Sequence, residues 1–359
     1  MSQRRVFLHI GAPKSGTTYL QDRFAANRRL LEEQGLSYPD TAHGGHFYAA
    51  LDLIERRWAG EIEQARGQWD ELAATARRAD GDVLISHEIL AAASPEQVRR
   101  AFRSLPDAEV HVVLTARDLA RQLPAEWQEH VKHRSGQTFR KFANRVMRAP
   151  RTSPDLWFWR VQSVPDVLTR WGAGLPPSQV HVVTVPPSGA PPGVLWDRFA
   201  DVLGLDPRLG YAEAERSNRS VGIAEIAVLR RLNRRLHALG VPREVYVPVV
   251  RELVVRDVFS RRPDQERAVV PPRRRPFVEE VTEEWLEWLE GSGVHVVGDL
   301  RDLQPVWPEP GFRARHPDRP RQGEVADAAI EALAAVVANS RPPEEGTPLV
   351  RVARKLLRP

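Results

Sequence analysis

VFLHIGAPKSGTTYL, residues Val6 to Leu20, reads as a buried strand, a glycine-bearing loop and the first turn of a helix. Val6, Phe7, Leu8 and Ile10 form the short apolar run of a central parallel strand. Gly11 and Gly16 bracket Ala12, Pro13, Lys14 and Ser15; Thr17 and Thr18 lead into a helical pattern whose apolar face is Tyr19, Leu20 and Phe24. A strand that turns through glycines into a helix offers unpaired backbone N–H groups and a positive dipole end to an anion. Lys14 adds a mobile positive charge, and Ser15, Thr17 and Thr18 add hydroxyl donors. The stretch is a phosphate cradle.

A nucleotide kinase or GTPase carries G-x-x-x-x-G-K-[ST], with the lysine directly after the second glycine. Here Thr17 follows Gly16, and the lysine sits inside the loop at Lys14. The kinase lysine folds back onto the β- and γ-phosphates while its Ser/Thr holds Mg²⁺. A lysine at the loop apex reaches instead toward a group attached beyond a single 5′-phosphate.

Working outward, Asp82–Glu88 (DVLISHE) and Glu109–Thr115 (EVHVVLT) read as two further parallel strands, both ending in polar residues. Polar strand ends are expected where a parallel sheet opens onto its ligand crevice. Residues 19–36 read as one amphipathic helix and 47–79 as one or two more. Ser94-Pro95-Glu96 is a helix start, with Ser94 as N-cap and Pro95 in the first turn. Strand–helix alternation of this kind predicts a doubly wound α/β fold: three layers, P-loop-like, a central parallel sheet flanked by helices.

The chain has 359 residues, 42% of them hydrophobic, enough for one large core. No run approaches the length of a membrane-spanning helix, and the five-residue apolar run after Arg4 and Arg5 is a strand rather than an export signal. The cytoplasm is therefore the expected location. There are no cysteines, which excludes disulfides and thiolate-ligated metals. A net charge of +5 suits an anionic small ligand better than nucleic acid, which calls for a denser basic stripe.

HIGAPKSGTTYL resembles the 5′-phosphosulfate loop of sulfotransferases that use 3′-phosphoadenosine-5′-phosphosulfate (PAPS). The resemblance implies that Lys14 contacts the bridging oxygen and the transferring sulfuryl group. It implies that Pro13, Ser15, Gly16, Thr17 and Thr18 cradle the 5′-phosphate, and that no metal is needed. ARDLARQLPAEWQEHVK, residues 116–132, resembles the family's 3′-phosphate segment, which makes Arg117 the 3′-phosphate anchor. Arg suits that role because its planar fork donates two parallel hydrogen bonds. The family's partner serine falls on Ala125, beside Pro124, which is expected to interrupt the helix; either Gln122, Arg121 or a residue from elsewhere in the chain supplies that contact, or 3′-phosphate binding is weaker.

The later chain is similar to the family more loosely. Residues 157–171 read as a helix, Gln179–Val185 as a fourth strand, and Leu195–Leu203 as a helix stopped by Gly204. Arg216, Asn218 and Ser220 fall where the family's basic loop covers the nucleotide. A helix is expected over 224–239, a mostly helical extension over 243–290, and a further strand near 294–300. This divides the chain into an α/β domain with a helical C-terminal extension, 1–303, and a Pro/Arg-rich linker, short helix and basic tail, 304–359.

The implied activity is sulfuryl transfer from PAPS to a hydroxyl or amine of a small-molecule, carbohydrate or lipid acceptor. A P-loop kinase, or a non-catalytic nucleotide-binding protein of degenerate sulfotransferase fold, are the alternatives. The acceptor must give up a proton, and two bases stand together at the end of DVLISHE. His87 matches one branch of the family and Glu88 another; in an extended strand they point to opposite faces, so one of the two is expected to serve. His43 and His46, in a glycine-bearing loop, are candidates for the acceptor side.

Overall fold

A computed structural model describes residues 3–39, 45–55, 62–213, 221–309 and 314–340. The chain divides into two compact units. The first, built from residues 1–123, 145–218 and 272–310, holds the sheet. Its strands are β1 (Arg5–Gly11), β2 (Leu36–Ser37), β3 (Asp82–Ser86), β4 (Glu109–Ala116), β5 (Val180–Thr184) and β6 (His295–Val297). All pairs are parallel, in the order β2-β3-β1-β4-β5-β6. The fold is thus an open α/β fold with a six-stranded parallel sheet flanked by helices.

The strand order positions the site. β1 lies between β3 and β4, so the chain winds to one side of β1 and then crosses to the other. At such a switch point the connections leaving neighbouring strands diverge and open a crevice at the carboxyl ends. The loop after β1 therefore sits over the crevice, with the ends of β3 and β4 on either side. The register of β1 against β4 shifts between His9 and Gly11, where the strand bends out into the loop.

Alternation along the strands sorts the two faces. Phe7, Leu84, Val113 and Val183 join Leu20 and Phe24 of helix α1 (Thr17–Ala26) and Trp196, Phe199 and Leu203 of the helix Val194–Leu203 in one core. Leu8 and its register neighbours Ile85 and Val112 are buried on the other face. The capping box at Ser94 and Gln97 opens the helix Pro95–Arg103 as its sequence predicts.

Several expected elements are divided. The helix expected over 19–36 breaks at Asn27 into α1 and Arg28–Glu33. There the Asn27 side chain donates to the Ala212 carbonyl (3.0 Å) and accepts the Ala212 amide (2.8 Å), a pairing with a distant segment that no local pattern announces. The helix expected over 157–171 breaks at Ser163, ahead of Pro165, which has no N–H to continue the ladder. The strand expected to reach Glu88 ends at Ser86. Conversely, the helix Leu119–Lys132 runs through Pro124, forgoing only the bond its amide would have made.

The second unit comprises residues 124–144, 219–271 and 311–359. The helix Ile223–Ala238 packs there against Gln322–Ala338 through Ala224, Ala227 and Val325. Asp318 accepts the amides of Phe139 and Arg140 and pairs with Arg230.

Candidate active site

The loop from Gly11 to Gly16 is held by its carbonyls. Thr115, at the end of β4, donates to Gly11 O at 2.9 Å, and Ser15 Oγ donates to Ala12 O. Gln122 and Gln162 both donate to Pro13 O, each at 2.9 Å, and Gln122 also donates to Gln162 Oε1. Arg117 Nη1 donates to Lys14 O at 3.0 Å. Of four successive carbonyls, three are thereby turned toward side chains of the scaffold and one toward the loop's own Ser15. In a trans peptide the following N–H points the opposite way, so the Pro13 and Lys14 carbonyl clamps direct the Lys14 and Ser15 amides away from the scaffold.

Two glycines shape the ends. Gly11 has φ 115°, and a Cβ there would lie 2.9 Å from the Glu88 carbonyl oxygen, so the backbones of the loop and the end of β3 are in direct contact. Gly16 caps α1 in the left-handed region at φ 89°, which L side chains rarely adopt. Among the described residues, none accepts from the amides of Ser15, Gly16, Thr17 or Thr18. Lys14 itself has φ 65°, unusual for a residue with a Cβ and costing about 1–2 kcal/mol. The bonds to Pro13 O and Lys14 O over-determine the turn and sustain that conformation.

Beneath the loop lies a buried polar layer. His9 Nδ1 is 2.7 Å from Ser86 Oγ, and its Nε2 faces Thr115 Oγ1 at 3.4 Å; Ser15 Oγ also meets Thr115 Oγ1. Burial pushes the His9 ring down to about 3, with the Glu88 charge opposing and His87 adding, so the ring is neutral.

At the end of β3, His87 adopts an extended backbone and caps a short 3₁₀ turn, Glu88–Ala92. Its Nδ1 accepts the Ile89 amide at 3.3 Å, which puts the proton of the neutral ring on Nε2. Burial lowers the ring's pKa, while the Glu88 charge opposes. Glu88 Oε2 accepts a hydrogen bond from Gln21 Nε2 at 3.0 Å and lies 4.0 Å from His87 Nδ1. Burial alone would raise the Glu88 carboxyl; His87, the Gln21 bond and the Lys14 charge outweigh it and hold it below the usual carboxylate range.

The structure places four of the expected residues against the scaffold. Ser15 is fully buried, and its hydroxyl is spent on Ala12 O and Thr115 Oγ1, bracing the loop from within. Gln122 is buried, and its Nε2 is spent on Pro13 O and Gln162 Oε1, which shapes the loop. Arg121, the other expected substitute, pairs with Asp118 and donates to the Pro186 carbonyl. His46 is buried too: its Nε2 donates to the Pro39 carbonyl (2.7 Å) and its Nδ1 accepts the Ser86 amide (3.0 Å). Both nitrogens serve the scaffold, and burial, against these bonds, lowers the ring to about 4. His43, Arg216, Asn218 and Ser220 lie outside the described residues.

Gln21, Ser86, Thr115, His9 and Gln162 were not legible as site residues. Gln21 carried a usable signal, being one helical turn beyond Thr17 and so on the same face of α1. Gln162 ends the apolar run WFWRVQ and carried none. Among the described residues no group of three or more His, Asp or Glu is arranged to hold a metal ion, and no helix is long and apolar enough to cross a membrane.

No protein-family model matches the chain, and no curated protein matches it. Among solved structures, a sulfotransferase from Alicyclobacillus acidocaldarius is similar at 19% identity and a TM-score of 0.40, over 66% of this chain and 96% of that one. At that level the likeness supports neither fold nor activity; the fold rests on this chain's own strand order.

Proposed function

We propose that the chain moves a sulfuryl group from PAPS to a hydroxyl or amine of an acceptor. The observation that carries this reading is Lys14. It stands at the apex of the loop and not at the helix start, with its carbonyl held by Arg117 and its charge felt at Glu88 on the neighbouring strand end. The amides at the start of α1 supply only donors and the hydroxyls of Thr17 and Thr18 can each donate one hydrogen bond, matching a 5′-phosphate, which has only acceptors. Pro13 and Gly16 shape that cradle. Arg117, by its place just after β4, is the candidate for the 3′-phosphate.

In the transfer, the acceptor oxygen or nitrogen bonds to sulfur as the bond from sulfur to the bridging oxygen breaks. The electron pair of the breaking bond stays on the 5′-phosphate oxygen, where Lys14 stabilises it. The acceptor's proton goes to Glu88. His87 serves poorly, because its Nδ1 lone pair is committed to the Ile89 amide.

The test is calorimetry with the product 3′,5′-bisphosphate, in chelator, together with turnover of PAPS using water as the acceptor. The bisphosphate is expected to bind without Mg²⁺ and more tightly than ATP. Lys14→Met is expected to lower turnover by about a hundredfold or more while leaving bisphosphate affinity largely intact, since the charge it meets develops only as the bond breaks. Tight Mg²⁺-dependent ATP binding with none for the bisphosphate would replace this reading with phosphoryl transfer.

A further inference from the structure

Glu88 has an unusual set of neighbours for a base. Its backbone is fixed against Gly11, and one carboxylate oxygen is held by a neutral amide on α1. That amide, Gln21 Nε2, also lies 3.4 Å from Ser86 Oγ, which in turn is 2.7 Å from the neutral His9 ring. The groups around the carboxylate are thus Gln21 on α1, His9 on β1, His87 beside it in sequence, and Lys14 on the loop.

We propose that Gln21 is the positioning residue of the site, holding Glu88 Oε2 so that Oε1 takes the acceptor's proton. The inference rests on the sulfuryl-transfer reading with Glu88 as base. A neutral donor suits this task. One neutral N–H fixes the carboxyl plane and spends a single lone pair, lowering the carboxylate's basicity less than a second cation in the same place would. Gln21 also sits on the helix whose N-terminus forms the cradle, so the cradle and the group that orients the base share one rigid element. The proton leaves the acceptor O–H or N–H for Glu88 Oε1 as the new bond to sulfur forms, and no other proton carrier is required.

The experiment uses the full chain with carboxyl-¹³C glutamate, Glu88 being assigned by its loss in Glu88→Gln. In Gln21→Leu the Glu88 titration is expected to move up by about one to two pH units. The acid limb of PAPS hydrolysis should move with it, with bisphosphate affinity unchanged; Gln21→Asn, one methylene short, should show the same direction. A Gln21→Leu protein that is less stable but titrates as wild type would overturn the proposal, assigning Gln21 a packing role. A shifted titration in a protein whose wild type never turns PAPS over would also overturn it, and would withdraw the sulfuryl-transfer reading while leaving the Gln21–Glu88 contact intact.

Discussion

Replacing Gln162 by Leu tests whether the loop is held from behind. Gln162 is 2% exposed, and its Nε2 shares the Pro13 carbonyl with Gln122 while its Oε1 accepts from Gln122 Nε2. Leu keeps the bulk and removes both bonds. Each is worth about 1 kcal/mol net, and the Gln122 donor loses part of its pairing in a buried site, so the total is about 2–4 kcal/mol. Part of this appears as stability, an apparent Tm lower by roughly 1–2 °C for each kcal/mol lost in a chain of this length. The rest appears in binding. With one clamp gone, Pro13 O keeps only Gln122, and the left-handed turn at Lys14 loses support that a bound anion must then supply. Each 1.4 kcal/mol so diverted weakens affinity about tenfold. Differential scanning fluorimetry of the free protein and calorimetry with the 3′,5′-bisphosphate measure the two shares. Unchanged Tm together with unchanged affinity would refute the argument that these buried amides hold the cradle open.

Two further outcomes follow from the same geometry. Arg117→Ala removes the bond to Lys14 O and should weaken adenosine 5′-phosphosulfate modestly and the 3′-phosphorylated nucleotide by roughly a further 1.5–3 kcal/mol; equal losses would leave Arg117 as a loop clamp alone. Acid should destabilise the protein through its buried imidazoles. Burial holds His9 near 3, His46 near 4 and His181, between His111 and His295, near 4, all below the unfolded value of 6.5. The unfolded chain therefore binds more protons between these limits, and stability present above pH 6.5 is lost as pH falls toward 4, by up to about 1.4 kcal/mol per pH unit for each ring. Urea unfolding of His181→Gln across that range should show a shallower slope; an identical slope would mean the ring is already charged in the folded protein.

What the sequence determined by itself was local. The run Val6–Ile10, the glycines at 11 and 16 and the hydroxyls at 17 and 18 specify strand, loop and helix start within a few residues, because φ/ψ freedom and apolar alternation are short-range properties. The strands near 82–86, 109–116 and 180–184 were legible for the same reason. The tertiary structure decided which strands flank β1, and hence where the crevice opens. It also decided what each polar side chain does. His46 and Gln122 have the chemistry of a ligand contact, but the fold turns both onto backbone carbonyls. Glu88 leaves the strand and turns back against Gly11, which no alternation pattern contains. The Pro13 carbonyl is held by residues 109 and 149 positions further along the chain. A hydrogen bond needs its partners within about 3 Å, and only folding brings such distant positions that close.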